Sequence, residues 1–219
     1  MGDIDLWGKN LQTSIEIAGT AAFAMSGILE AARKRLDPVG VCVVGFLAAF
    51  GGGTLRDLLL DQRPFFWVRH VEVLWCMLAL CIVAMFFLKA RHFAITERAI
   101  QWPDAIGLGL FTATGVHQAL LMQLPLLVAV LMGVITGVVG GVLRDLVCNE
   151  IPTTFKDHRP YALCAFAGGW LYVGTTIGLT QISWLAWSAS AATAICVIVT
   201  ASLRLLSVWR DWRLPEWRA

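Results

Sequence analysis

Seven apolar runs leave this chain few folds to choose from: 11–31, 38–60, 69–89, 103–122, 125–148, 161–180 and 183–207. Each is near the ~20 residues that a helix needs to cross the hydrocarbon core of a bilayer. The breaks are Arg33-Lys34-Arg35-Leu36-Asp37-Pro38, the Asp61–Pro64 turn, the polar 89–101 segment, Pro125, the Pro152–Pro160 loop and a short link near Thr180. The runs are long and show no polar–apolar alternation, which argues for helices and against barrel strands. Composition agrees: 15% of residues are charged, against roughly 25% in soluble domains, and the mean hydropathy is +0.72. The expected fold is an all-α membrane protein, one transmembrane domain over residues 1–219.

Residues 1–10 are mixed and acidic, without the basic start and apolar core of a cleavable signal. The six cysteines (Cys42, Cys76, Cys81, Cys148, Cys164, Cys196) sit in or at the ends of apolar runs, with no metal-ligand spacing, and read as packing residues. A net charge of +2 is too small to suggest a nucleic-acid partner.

The positive charges set the orientation. With seven spans, one side carries Arg33, Lys34, Arg35, Lys89, Arg91, Arg98, Lys156, Arg159, Arg204, Arg210, Arg213 and Arg218, and the other only Lys9, Arg63 and Arg69. Positive-inside bias then predicts a cytoplasmic C-terminus and an outside N-terminus. Trp67, Trp102, Trp184, Trp209 and Trp212 lie near span ends, as interfacial anchors do.

A shift of 88 residues overlays the chain on itself without a gap from Gly19 to His70. Gly19, Phe23 and Gly27 fall on Gly107, Phe111 and Gly115, and Gly45 falls on Gly133. Gly52-Gly53 falls on Gly140-Gly141, Leu55-Arg56-Asp57-Leu58 on Leu143-Arg144-Asp145-Leu146, Pro64 on Pro152 and His70 on His158. The matches concentrate at glycines and charges, which apolar composition alone does not produce. Repeat 1 covers about 11–89, repeat 2 about 103–180, and a seventh helix about 183–207. Three spans per repeat is an odd number, so the second copy must insert upside down. Such 3+3 inverted repeats often place an ion or substrate path at their interface.

Gly51, Gly52 and Gly53, with Gly140 and Gly141, invite a kink or an unwound turn whose carbonyls would line a polar path; close packing of helices through small residues is the alternative role. Arg56 and Asp57 point about 100° apart on a helix, so the expected partners lie across the pseudo-twofold axis: Arg56 with Asp145, and Arg144 with Asp57. Pairing would offset an insertion cost of about 2.5–3.5 kcal/mol per charge at the helix centre. The pairs either clamp the fold or frame a pore constriction. Glu16, Thr20, Ser26 and Glu30 in span 1, Thr112, Thr114, His117 and Gln118 in span 4, and Thr136 in span 5 are candidate walls of a hydrated path, while His117 reads as packed.

The paired glycine-rich Leu-Arg-Asp motifs, the 3+3 repeat and the seventh helix resemble the prokaryotic branch of the TRIC family (trimeric intracellular cation channels), over residues 11–208. The resemblance implies a homotrimer in the inner (plasma) membrane of a prokaryote, surrounded by lipid. Each protomer would hold its own pore for monovalent cations, mainly K⁺, with K⁺ or Na⁺ as permeant ions and no cofactor. Spans 1, 2, 4 and 5 would surround that pore. Carried over by position, its elements are Gly51, Gly52, Gly53, Arg56, Asp57, Gly140, Gly141, Arg144 and Asp145; Thr114 and Thr136 join them as candidate wall residues. Val139 replaces the first glycine of the second copy, so the two kinks are unequal. Some bacterial relatives resemble small amino acid (glycine) uptake proteins, which makes a transporter the second reading.

Enzyme readings fit poorly. The lysines are Lys9, Lys34, Lys89 and Lys156, so span 7 has none to form a retinal Schiff base. An aspartyl intramembrane protease needs two aspartates sharing a proton, whereas each Asp here stands beside an Arg that favours its ionised form.

Overall fold

The computed structural model describes residues 2–87, 97–156, 159–181 and 185–215. Positions 89, 91, 158, 184 and 218, invoked above, lie outside them, as does part of the link after Thr180; the side chains of Lys9, Arg98 and Lys156 are likewise not described. The described residues form helices joined by turns: α1 Gly2–Arg33, α2 Pro38–Leu59, α3 Phe66–Arg69, α4 Val71–Phe87, α5 Glu97–Leu121, α6 Leu126–Val147, α7 Thr153–Lys156, α8 Ala162–Gln181 and α9 Leu185–Trp209. Stretches of five of these helices, in α1, α2, α6, α8 and α9, are long and apolar enough to cross a membrane. The chain is an all-helical membrane protein.

Two differences from the sequence reading are local. Helix α1 begins well before residue 11, and α5 begins at Glu97, carrying Pro103 inside it. Pro103 lies in the second turn, early enough that the helix runs on through it. A one-turn helix, α3, follows the Asp61–Pro64 turn, and another, α7, lies within the Pro152–Pro160 loop; both are too short for a periodic signal.

Local chemistry fixes the connections. Pro38 opens α2 behind Asp37, whose carboxylate accepts from the Gly40 N–H at 2.7 Å, an N-cap that satisfies a free donor. Arg35 and Gln123 adopt left-handed backbone (φ 55° and 57°), as do Asp61 and Asn149 (50° and 55°). Both pairs are separated by the 88-residue offset.

Helices α1, α2, α6 and α5 form a closed ring in which each packs on the next. Glycines let their backbones touch. A Cβ on Gly27 would meet Ala48 at 2.9 Å and Gly45 at 3.1 Å; one on Gly115 would meet Thr136 Oγ1 at 2.6 Å and Gly133 at 2.8 Å. The Phe23 and Phe111 rings meet at a tilt, centroids 5.4 Å apart, where α1 packs on α5, against Gly107 and Gly19 respectively. Helices α8 and α9 pack together and cover α5 and α6. Helix α4 lies lightly on α2 and α1, burying Val73, Met77 and Cys81 while Trp75, Phe86 and Phe87 stay exposed. Such a surface suits lipid or another subunit.

Candidate ion path: two buried charge clusters

Arg56, one turn from the end of α2, is 1% exposed. Its Nε and Nη2 donate to Asp57 Oδ1 at 2.9 and 2.6 Å, and Nη2 also donates to Glu16 of α1. Asp57 Oδ2 accepts from the Phe66 N–H at 3.1 Å, the first residue of α3. Arg144 near the end of α6 repeats the arrangement. Its Nε donates to Asp145 Oδ1 at 2.8 Å, its Nη1 to Asp104 Oδ1 of α5 at 2.6 Å and also to Ser26 of α1. Asp145 Oδ2 accepts from the Thr153 N–H at 2.9 Å, the first residue of α7.

The expected cross-pairing of Arg56 with Asp145 and Arg144 with Asp57 is therefore wrong. Each arginine binds its own neighbour. The 100° between adjacent Cβ directions is spanned by the long arginine stem, which curls back so that the guanidinium meets the carboxylate. The second acid, Glu16 or Asp104, comes from the helix packed alongside, not from across an axis. Sequence reasoning named Glu16 only as part of a polar face and missed Asp104. The signal was present: these two acids stand 88 residues apart, just before the stretch over which the repeat was traced.

The glycines serve the crossing of α2 and α6. Both helices are continuous through them, so the expected unwound turn is absent. A Cβ on Gly52 would collide with the Thr136 carbonyl oxygen, one on Gly140 would lie 2.5 Å from the Ala48 carbonyl, and one on Gly51 would lie 2.5 Å from Leu143 Cδ1. Gly53 and Gly141 differ. A Cβ on Gly53 would meet only Glu16 Oε1, at 4.0 Å, which leaves room beside that carboxylate; one on Gly141 would press on the Tyr161 hydroxyl at 3.3 Å, with Asp104 Oδ1 at 3.6 Å. Thr114 and Thr136 are buried, with hydroxyls donated to Phe111 O (3.1 Å) and Met132 O (2.6 Å) of their own helices. His117 is packed, its Nδ1 2.8 Å from the Tyr172 hydroxyl.

The two clusters have different surroundings. The Arg144 end opens on a cavity of about 130 Å³ walled by Glu30, Gln101, Asp104, Asp145, Thr153 and Arg204 among others. Its mouth carries the ion pairs Arg33–Glu30 (2.7 Å) and Lys34–Glu150. At the Arg56 end a pocket of about 10 Å³ lies beside Glu16, lined by Phe66 and Trp67 among others. Trp67 is half-buried, lines this pocket together with Glu16, and donates to Thr54 Oγ1 at 3.2 Å. Trp102 and Trp209 are exposed.

Comparisons with known proteins agree with this architecture. The family model described as "Glycine transporter" matches residues 13–89 and 101–176, the two halves of the chain. The UPF0126 inner membrane protein YadS of Escherichia coli (strain K12) is 34% identical over 202 residues, covering 92% of this chain and 93% of that protein. A TRIC trimeric intracellular cation channel orthologue from Rhodobacter sphaeroides superposes with a TM-score of 0.74 at 29% identity, over 90% of this chain and 98% of that one. A prokaryotic TRIC channel crystallised in 0.5 M KCl gives 0.81 at 29% identity, over 94% and 100%. These relatives are membrane proteins and channels rather than enzymes. With the "Glycine transporter" family model matched in both halves and the fold shared with TRIC channels along nine-tenths of its length, at 30% identity to one of them, this multi-pass membrane protein belongs to the TRIC family.

Proposed function

We propose that the chain is one subunit of a homotrimeric channel for monovalent cations, mainly K⁺, with a pore in each protomer and no cofactor. The carrying observation is the composition of the clusters: two carboxylates stand against one guanidinium in each. A buried station with a net negative charge attracts cations and repels anions. Phe23 follows Glu16, and Phe111 follows Asp104, by about two helical turns, so their ring contact lies between the stations. We assign the closed gate to that contact. Gly53 gives ions room beside Glu16, and Gly141 brings the Tyr161 hydroxyl close to Asp104; Gly51, Gly52, Gly140 and Thr136 hold the crossing, and Thr114 backs it.

The subunit count is supported by the trimeric relatives. The proposed topology is a single transmembrane domain of seven spanning helices, α3 and α7 being short re-entrant turns. Its halves are inverted copies with α9 added, which the left-handed residues and clusters recurring at one offset support. The proposed location is a prokaryotic inner membrane with the C-terminus cytoplasmic, supported by the lysine and arginine bias.

A carrier for a small solute such as glycine is the second reading. It is supported by the family model's description and by a cavity open at one end and sealed at the other, as alternating access requires. Recording the purified protein in a planar bilayer under a K⁺ gradient separates the two. Discrete unitary currents reversing toward the K⁺ potential mean a channel. Saturable glycine uptake without unitary currents means the carrier.

A further inference from the structure

The Arg144 end has a wall that the Arg56 end lacks. Helix α9 stands outside the 88-residue correspondence and sends Arg204 into the 130 Å³ cavity beside Asp104, Arg144 and Asp145. Arg204 is 3% exposed, and its Cζ sits 4.7 Å from the centroid of the Tyr161 ring. Among the described residues its Nη1 has no hydrogen-bond partner, and no carboxylate pairs with it. A buried cation without a partner is costly. The face of the Tyr161 ring and attraction through the cavity to the surplus negative charge of the neighbouring cluster offset that cost.

The charges then divide unequally. Glu16 and Asp57 against Arg56 leave one net negative charge, and no arginine lines the small pocket beside Glu16. Asp104 and Asp145 against Arg144 leave the same charge, which Arg204 cancels. The remaining acids of the cavity, Glu30 and Glu150, are matched by Arg33 and Lys34 at its mouth.

We propose that Arg204 sets the conductance of the ion path, neutralising the wide cavity so that, of the two described charge clusters, Glu16–Arg56–Asp57 alone stays net negative. The path is then electrically asymmetric, with cations drawn in more readily at the Arg56 end and currents that rectify in symmetrical salt. The inference rests on the channel reading above.

The test is unitary current through wild type, Arg204→Gln and Arg204→Lys in symmetrical KCl at low and high concentration. Arg204→Gln should raise the conductance at least about twofold in ~0.01 M salt, where charges act over a Debye length near 30 Å, and flatten the rectification. In ~1 M salt, with a length near 3 Å, the gain should vanish. Arg204→Lys should keep the wild-type values. If Arg204→Gln does not elute as an intact assembly, Arg204→Met, which fills the space without charge, must show the same gain. Equal currents from wild type and an intact uncharged variant at both salts would overturn the proposal while leaving the channel standing. A wild type without unitary currents would overturn the channel reading, and this proposal with it.

Discussion

Arg56 and Asp57, adjacent in the chain, hold one another: two guanidinium nitrogens lie 2.9 and 2.6 Å from one carboxylate oxygen. Arg144 holds Asp145 through one nitrogen, its Nε at 2.8 Å from Oδ1, and turns Nη1 to Asp104. Each Leu-Arg-Asp motif is thus a self-contained unit that recruits its second acid from the helix beside it.

Stability should follow that local wiring. Arg144→Met strands Asp104 and Asp145 and should cost about 3–5 kcal/mol, the usual price of breaking a buried pair from one side. Adding Asp104→Asn should recover a large part of the loss, whereas adding Asp57→Asn should not. Thermal unfolding in mild detergent reads the difference, and equal instability of the two double variants would refute local pairing.

Neighbouring glycines should behave differently. Gly52→Ala drives a methyl into the Thr136 carbonyl, and overpacking of this kind costs about 1–3 kcal/mol or more. Gly53→Ala meets nothing nearer than Glu16 Oε1 at 4.0 Å, so the fold should tolerate it. Its methyl narrows the space beside that carboxylate, and reduced unitary current with an unchanged melting temperature is the expected result. Unchanged current would remove Gly53 from the ion path.

The cover over the Arg56 cluster can be probed chemically. Thr20 is buried beneath it, and its hydroxyl has no hydrogen-bond partner among the described residues. A Thr20→Cys thiol should resist a water-soluble thiol reagent in the native background and react at least about tenfold faster once Trp67→Ala removes the ring and its bond to Thr54. Equal rates in both backgrounds would show that Trp67 does not seal this end.

Acid should loosen the C-terminal tail. Asp211, just beyond α9, accepts from Arg159 at 2.7 Å and from Arg213 at 2.8 Å. Those bonds, Arg159 first, hold its carboxyl below the usual carboxylate range. A lowered folded pKa contributes stability that is complete above the ordinary value near ~4 and fades as pH falls through the lowered one. Protease cleavage after Arg210 and Arg213 should therefore be unchanged between pH 8 and 5 in the wild type. Asp211→Asn should already show the faster rate at pH 7. A wild-type rate equal to the variant's at pH 7 would mean that the pairs do not restrain the tail.

The long helices were legible because their apolar runs match bilayer thickness, and the repeated motif was legible because glycine and charge are conspicuous in such runs. Partnership was not. Treating Arg56 and Asp57 as vectors 100° apart ignored the reach of a side chain with a long flexible stem. Asp104 was overlooked because Glu16 and Asp104 differ in residue type, although both are acids at the shared offset. The one-turn helices α3 and α7 carry no period at all. They are held by an aspartate oxygen accepting from their first N–H, which depends on tertiary position.

That shared aspartate has a mechanical consequence. Asp57 gives one oxygen to Arg56 and the other to the first residue of α3, so the aromatic cover and the buried guanidinium are linked through a single carboxylate. Moving α3 aside tugs on the charge beneath it, and shifting the charge releases the cover. Such a linkage has no comfortable halfway position, because a partly displaced carboxylate satisfies neither partner. The Arg56 end should accordingly behave as a latch rather than a valve, staying shut for long intervals and then opening fully in a single step.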